Sequence, residues 1–145
     1  MTTLDMRIEQ LEAKDQIREL TARYCHAVVD GDAKKIVSLF CEEGRFITNG
    51  IETTGHPALI KFYESGVSQQ THKPFVQNHV IELTSEFEAS GRCSVEIRVN
   101  QNEEAYTQAG HYKDIYKKIE GSWKFSERHY LRYHNAPWQS GWKAK

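Results

Sequence analysis

The sequence predicts an α+β domain with three N-terminal helices packed on one face of a long antiparallel sheet. Three observations lead there. Apolar residues recur at three- and four-residue intervals through the first third of the chain. Beyond residue 70 the period drops to two. No linker, internal repeat or low-complexity tract divides the 145 residues, a length that suits a single core and a single domain over 1–145.

Ile8, Leu11, Ile17, Leu20, Tyr24 and Val28, with charges between them, predict a first amphipathic helix. Asp30-Gly31-Asp32 ends it and caps a short second helix carrying Ile36, Val37, Leu39 and Phe40. Arg45 to Thr48 reads as a strand closed by the turn residues Asn49-Gly50. His56-Pro57 opens a third helix that runs to about Val67, with Leu59, Ile60, Phe62 and Tyr63 on its apolar side. Phe75–Leu83, Arg92–Val99, Tyr106–Ile119 and Trp123–Tyr133 then read as four long strands joined by hairpins, the tightest at Glu120-Gly121. A twisted sheet of this length curls, and helices laid on its concave side leave a cavity at the open end.

Composition excludes several classes. The 19 basic and 20 acidic residues give a net charge of -1, without the basic excess that phosphate contacts demand, so no nucleic-acid partner is expected. No apolar run approaches a membrane span, and Met1 to Asp15 carries acids where a signal peptide needs an apolar core. The expected setting is the cytoplasm, with no membrane partner. Cys25, Cys41 and Cys93 form no CxxC pair and read as small buried hydrophobes. The seven histidines show no i, i+4 pair with a flanking acid, so no metal site is expected. No phosphate loop, dinucleotide fingerprint or nucleophile elbow is present, and no cofactor is expected.

Three stretches carry a family resemblance. Ile8 to Leu39, with Arg23-Tyr24 followed eight residues later by Asp32, is similar to the opening helices of the SnoaL-like and scytalone-dehydratase-like families. Gln77-Asn78-His79-Val80 resembles the strand that carries a pocket histidine in the dehydratases. Tyr116 to Phe125 looks like the family's last hairpin. Together they span roughly residues 5 to 133 and resemble the SnoaL-like branch of the NTF2-like superfamily. The resemblance implies a conical α+β fold, helices packed on a strongly curved mixed or antiparallel sheet, around a pocket for a small apolar molecule. It also implies a homodimer or homotrimer. Relatives include steroid isomerases, polyketide cyclases, dehydratases, a dehydrochlorinase and non-catalytic subunits, so function must be argued from the site.

His79 alternates with Phe75, Gln77, Ile81 and Leu83, which assigns that face to the interior. A histidine among apolar groups can serve as a general base, and its position resembles the dehydratase histidine; the other reading is a hydrogen-bonded core histidine. Asp114 is in phase with Gly110, Tyr112 and Tyr116. It resembles the protonated, oxyanion-binding aspartate of steroid isomerases, or it pairs with Arg98 or Arg128. Tyr24, inward with Leu20 and Val28, resembles the isomerase and dehydratase tyrosine; alternatively it anchors the helix. His79, Asp114 and Tyr24 are thus the candidate catalytic residues, with Val28, Thr48, Phe75, Tyr112 and Tyr116 as candidate substrate contacts. His111 and His26 fall on opposite faces, while His56, His72 and His134 sit near turns and are expected in solvent. The phase of His129 is left open.

Two positions depart from the family pattern. The aspartate that usually follows the helix tyrosine by five residues is Val29, and the isomerase base position on the first strand is Thr48. The expectation is therefore a cofactor-independent lyase or isomerase, with a non-catalytic ligand-binding or assembly module as the alternative. Trp138 and Trp142, in the tail 134–145, are expected to cover apolar surface at the pocket mouth or on a neighbouring subunit.

Overall fold

The computed structural model describes residues 2–67 and 71–141. Helix α1 spans Leu4–Asp30, its first turn capped by the Thr3 hydroxyl, which accepts from the Met6 amide at 3.2 Å. Gly31, at φ 66°, ends it by donating its amide to the Val28 carbonyl. The predicted apolar stripe is buried only from Ile17 to Val28. Ile8 and Leu11 are exposed, because at about 100° per residue they lie on the face away from Ile17, Tyr24 and Val28; Met6, Gln10 and Ala13 share a pocket lining with Leu83 and Trp123 instead. Helix α2, Ala33–Ser38, is capped by Asp32, whose Oδ1 accepts from the Lys35 amide at 3.0 Å. Phe40, expected in that helix, instead opens strand β1, Phe40–Thr48.

Asn49 and Gly50 both adopt positive φ, the geometry of a tight hairpin, and return the chain as β2, Ile51–Thr54, a strand missing from the predicted elements. Helix α3, His56–Phe62, continues into a single π-type turn, Tyr63–Val67. The four long strands follow as β3 Thr71–Leu83, β4 Glu88–Gln101, β5 Glu104–Ile119 and β6 Ser122–Pro137. The sheet order is β2-β1-β6-β5-β4-β3. Among the described residues only β1 and β6 pair in parallel, so the sheet is mixed, an open cone with α1 across its concave side. No helix among the described residues is long and apolar enough to cross a membrane.

Three irregularities in the ladder decide which side chains face inward. The β3–β4 register shifts between Gln77 and Val80, where Asn78 sits at φ 56°. Before this bulge Pro74 is buried; after it His79 and Ile81 turn inward. Phe75 is therefore on the outer face, 52% exposed, with the Arg98 guanidinium 5.2 Å from its ring. This overturns the expectation that Phe75 contacts substrate: a single alternation cannot run through a bulge. On β6, the shift between Ile115 and Tyr116 of its partner leaves Ser126 as an extra residue. Phe125 and Arg128 then both point inward although they differ by an odd number of positions. A third shift, at Ala109/Gly110, leaves Tyr133 as the extra residue.

Strand β6 carries residues 134–137 into the sheet, so the tail begins later than expected. Trp138 lies 5.6 Å from the same Arg98 guanidinium on the outer face, away from the cavity. Trp142 lies outside the described residues.

The bulge gives a prediction. Asn78→Gly should leave stability unchanged or slightly higher, whereas Asn78→Val should cost about 1–2 kcal/mol, because a β-branched residue resists the left-handed conformation. Urea unfolding of both variants reads the difference; equal losses would show that backbone conformation is not what Asn78 provides.

Candidate functional site

The interior polar groups of the sheet form one chain. Arg128 on β6 and Asp114 on β5 oppose each other across the ladder. Arg128 Nε donates to Asp114 Oδ1 at 3.0 Å and Nη2 donates to Oδ2 at 3.1 Å, with both side chains at 0% exposure. The Tyr116 hydroxyl donates to Oδ2 at 2.9 Å. Because that proton is committed, the Tyr116 oxygen accepts from His79 Nε2 at 3.0 Å, which makes His79 the Nε2–H tautomer. The Tyr116 ring fits only because residue 91 is glycine. A Cβ there would lie 2.9 Å from both the ring and its hydroxyl.

The guanidinium is also caged by rings. Its central carbon lies 3.7 Å from the Tyr112 centroid, 4.3 Å from Phe125 and 4.4 Å from Tyr24. Nη1 has no hydrogen-bond partner among the described residues, and the cation–π contacts compensate in its place. Burial alone would lower Arg128, yet Asp114 and the surrounding phenols hold it well above the usual guanidinium value. Burial raises Asp114 above the ordinary carboxylate range, against the pull of Arg128 and Tyr116. Three donors fill its two oxygens, an arrangement that suits an acceptor-only carboxylate. Burial, followed by the nearby Arg128 and Arg18 charges, lowers His79 to about 4, so it is neutral near pH 7.

On the other side of Tyr24 and Tyr112 lies a cavity of about 200 Å³. Helix α1 gives it Tyr24 and Val28, and β1 gives Phe46 and Thr48. Phe62 and Tyr63 close it from the α3 side, while β3 and β4 add His72, Pro74, Ile97 and Gln101. Strands β5 and β6 complete it with Gln108, Tyr112, Tyr130 and Arg132. The Tyr24 and Tyr63 hydroxyls are 2.9 Å apart, and the Tyr130 hydroxyl donates to Gln108 Oε1 at 3.2 Å. Burial pushes Tyr24 and Tyr130 up to about 12 and Tyr63 well above its usual value. All three phenols are therefore protonated donors at neutral pH.

Of the candidate residues, Tyr24, Val28, Thr48 and Tyr112 line this cavity. His79, Asp114 and Tyr116 do not; they form the buried chain behind its aromatic wall. Asp114 takes the Arg128 pairing rather than an open oxyanion-binding position. His72, expected in solvent, is half-buried and lines the cavity, and His56 is half-buried with Nε2 3.0 Å from the Phe40 carbonyl. His129 faces outward, since the Ser126 bulge turns Arg128 and Tyr130 in. Tyr63, His72 and Arg132 line the cavity but were not among the candidate site residues. Apolar alternation of Pro74 and Val76 before the bulge was the available signal for His72.

A helix across a curved, open mixed sheet defines the class as an α+β cone. The SnoaL-like domain model matches residues 9–129, and the chain belongs to that family. A provisionally assigned scytalone dehydratase from Novosphingobium aromaticivorans is 21% identical, with a TM-score of 0.84 over 97% of this chain and 94% of that one. A hexachlorocyclohexane dehydrochlorinase, LinA-type3 from Novosphingobium barchaimii, is 18% identical, with a TM-score of 0.82 over 90% and 93%. Rv3472 of Mycobacterium tuberculosis, a protein of unknown function, is 23% identical, with a TM-score of 0.80 over 86% and 73%. At these identities the likeness concerns the fold. No curated protein sequence matches the chain.

Two predictions follow from the buried chain. Asp114→Leu alone should cost about 3–5 kcal/mol, because it strands a buried guanidinium, and adding Arg128→Met should recover most of that loss. Urea unfolding of the cycle checks it; additive losses would mean the pair is not coupled. The second concerns acid. Between the ordinary histidine value of 6.5 and about 4, the unfolded chain binds a proton that folded His79 refuses. Stability is therefore full above pH 6.5 and falls as pH drops toward 4. His79→Gln should flatten the dependence of Tm on pH in that window, and an unchanged slope would remove His79 as its cause.

Proposed function

We propose that the chain is a small-molecule-binding protein whose cavity takes a compact apolar ligand of one or two rings. The observation that carries this reading is the cavity itself. Its volume, about 200 Å³, exceeds the roughly 150 Å³ that suffices for benzene in an engineered apolar core. Its walls are mostly aromatic and aliphatic, with a few phenol and amide groups placed to orient a guest. The buried chain supports binding over catalysis by His79. His79 does not line the cavity, and a base held near pKa 4 is poorly matched to proton abstraction at neutral pH.

Acid–base elimination is the second reading, and one observation favours it. The protonated Tyr24–Tyr63 pair lines the same cavity as the His72 imidazole, so hydroxyl donors and a possible base share one space. The dehydratase and dehydrochlorinase names among the structural neighbours belong to that chemistry. Here His72, rather than His79, is the base.

Calorimetric titration with 2-naphthamide, a neutral two-ring probe, tests the binding reading. Saturable binding is expected, and Thr48→Trp, which fills the cavity from a half-buried position, should abolish it while unfolding stays cooperative. Binding that survives Thr48→Trp, or no binding at all, overturns the reading. Recovery of a guest unchanged speaks for binding alone, and recovery of an elimination product from a suitable guest speaks for the second reading.

A further inference from the structure

The cavity is not electrically neutral along its lining. Arg132, two positions beyond Tyr130 on β6, contributes to it and is exposed to solvent, which places the guanidinium where the cavity opens. Among the described residues no aspartate or glutamate lines the cavity. The arginines in ion pairs among the described residues are Arg23, Arg45 and Arg128; Arg132 has no carboxylate partner. The chain thus places a permanently charged, forked donor beside an apolar space, and no carboxylate among the described residues meets it.

The backbone is built to hold it there. Arg132 pairs with Gly110 across the β5–β6 ladder, next to the register shift at Ala109/Gly110. A Cβ on residue 110 would collide with the Leu131 carbonyl and come within 2.8 Å of the Tyr130 ring and 3.0 Å of the Arg132 Cα. Glycine at this position lets β6 approach closely, so Tyr130 and Arg132 both face the cavity side although Tyr133 follows as an extra residue.

We infer that the cavity selects a ligand with an apolar ring body and a carboxylate, the ring between Tyr24, Tyr112 and Tyr130 and the carboxylate on the Arg132 guanidinium. The inference rests on the binding reading above and narrows its ligand class. A guanidinium fork matches a carboxylate with two parallel hydrogen bonds, and the low-dielectric wall behind it strengthens the attraction. At an exposed rim the anion keeps part of its hydration, so the pairing avoids the full desolvation cost of the buried Arg128–Asp114 pair. An ammonium-bearing guest would meet a like charge with no lining acid to offset it.

The test compares two probes of nearly the same shape, 2-naphthoate and neutral 2-naphthamide, on the intact chain and on Arg132→Gln. The expected result is roughly fivefold tighter binding of naphthoate to the parent, the size of a partly exposed ion pair. That preference should shrink with added salt and vanish in Arg132→Gln. Equal binding of the two probes to the parent overturns the carboxylate inference and leaves the binding reading intact. A naphthoate preference that persists in Arg132→Gln overturns the role of Arg132. Failure of both probes to bind the parent overturns the inference and the binding reading together.

Discussion

The Arg128–Asp114 pair is the constraint around which the interior is arranged. Two opposite charges with no solvent exposure are unfavourable unless geometry and hydrogen bonding compensate. Here the compensation is a two-point guanidinium–carboxylate contact, a hydroxyl from Tyr116 and a cage of three rings. Each compensating group is then fixed by the pair. Tyr116 must lie flat over residue 91, which excludes a Cβ there. Tyr24 and Tyr112 must present themselves to the guanidinium, and the same two side chains form the back wall of the cavity. The shape available to a guest is therefore set by a salt bridge the guest does not line.

Much of the fold was legible because its signals are periodic. A switch from helical to strand period near residue 70 marks the boundary between α3 and β3, and the capping residues Gly31 and Asp32 mark the break between α1 and α2. What the pattern hid lies at the bulges. Alternation assumes that every second residue shares a face, and one extra residue at Asn78 or Ser126 reverses that rule for the rest of the strand. Phe75 and His79, read as one face, end up on opposite sides. The missing strand β2 has a different cause: four residues, mostly exposed and polar, give no apolar period to detect.

The site was half legible for the same reason. Tyr24, Val28, Thr48 and Tyr112 lie where the local period holds, and they reach the cavity. Histidines invited a choice by chemistry, and the one flanked by apolar residues, His79, was the natural candidate. In the structure that apolar setting lowers its proton affinity, and its Nε2 proton is given to Tyr116. His72 looked unpromising beside a turn, yet it precedes the bulge and shares the inward phase of Pro74. Arg132 was hidden by two register shifts on one strand.

These placements divide the interior into two regions with different chemical capacities. In the buried chain the hydrogen bonds run from His79 through Tyr116 to Asp114, and Arg128 closes it. Such a chain leaves no free phenol proton at Tyr116, and it fixes the positions of the rings around it. In the cavity, protonated phenols, an amide, an imidazole and a rim guanidinium surround a space lined mainly by carbon. The open space belongs to the second region and rigidity to the first. Tyr24 and Tyr112 join them, because each has the cation on one side and the guest space on the other. A change in the ion pair would thus be felt at the cavity through those two rings, without any contact between the charges and the guest.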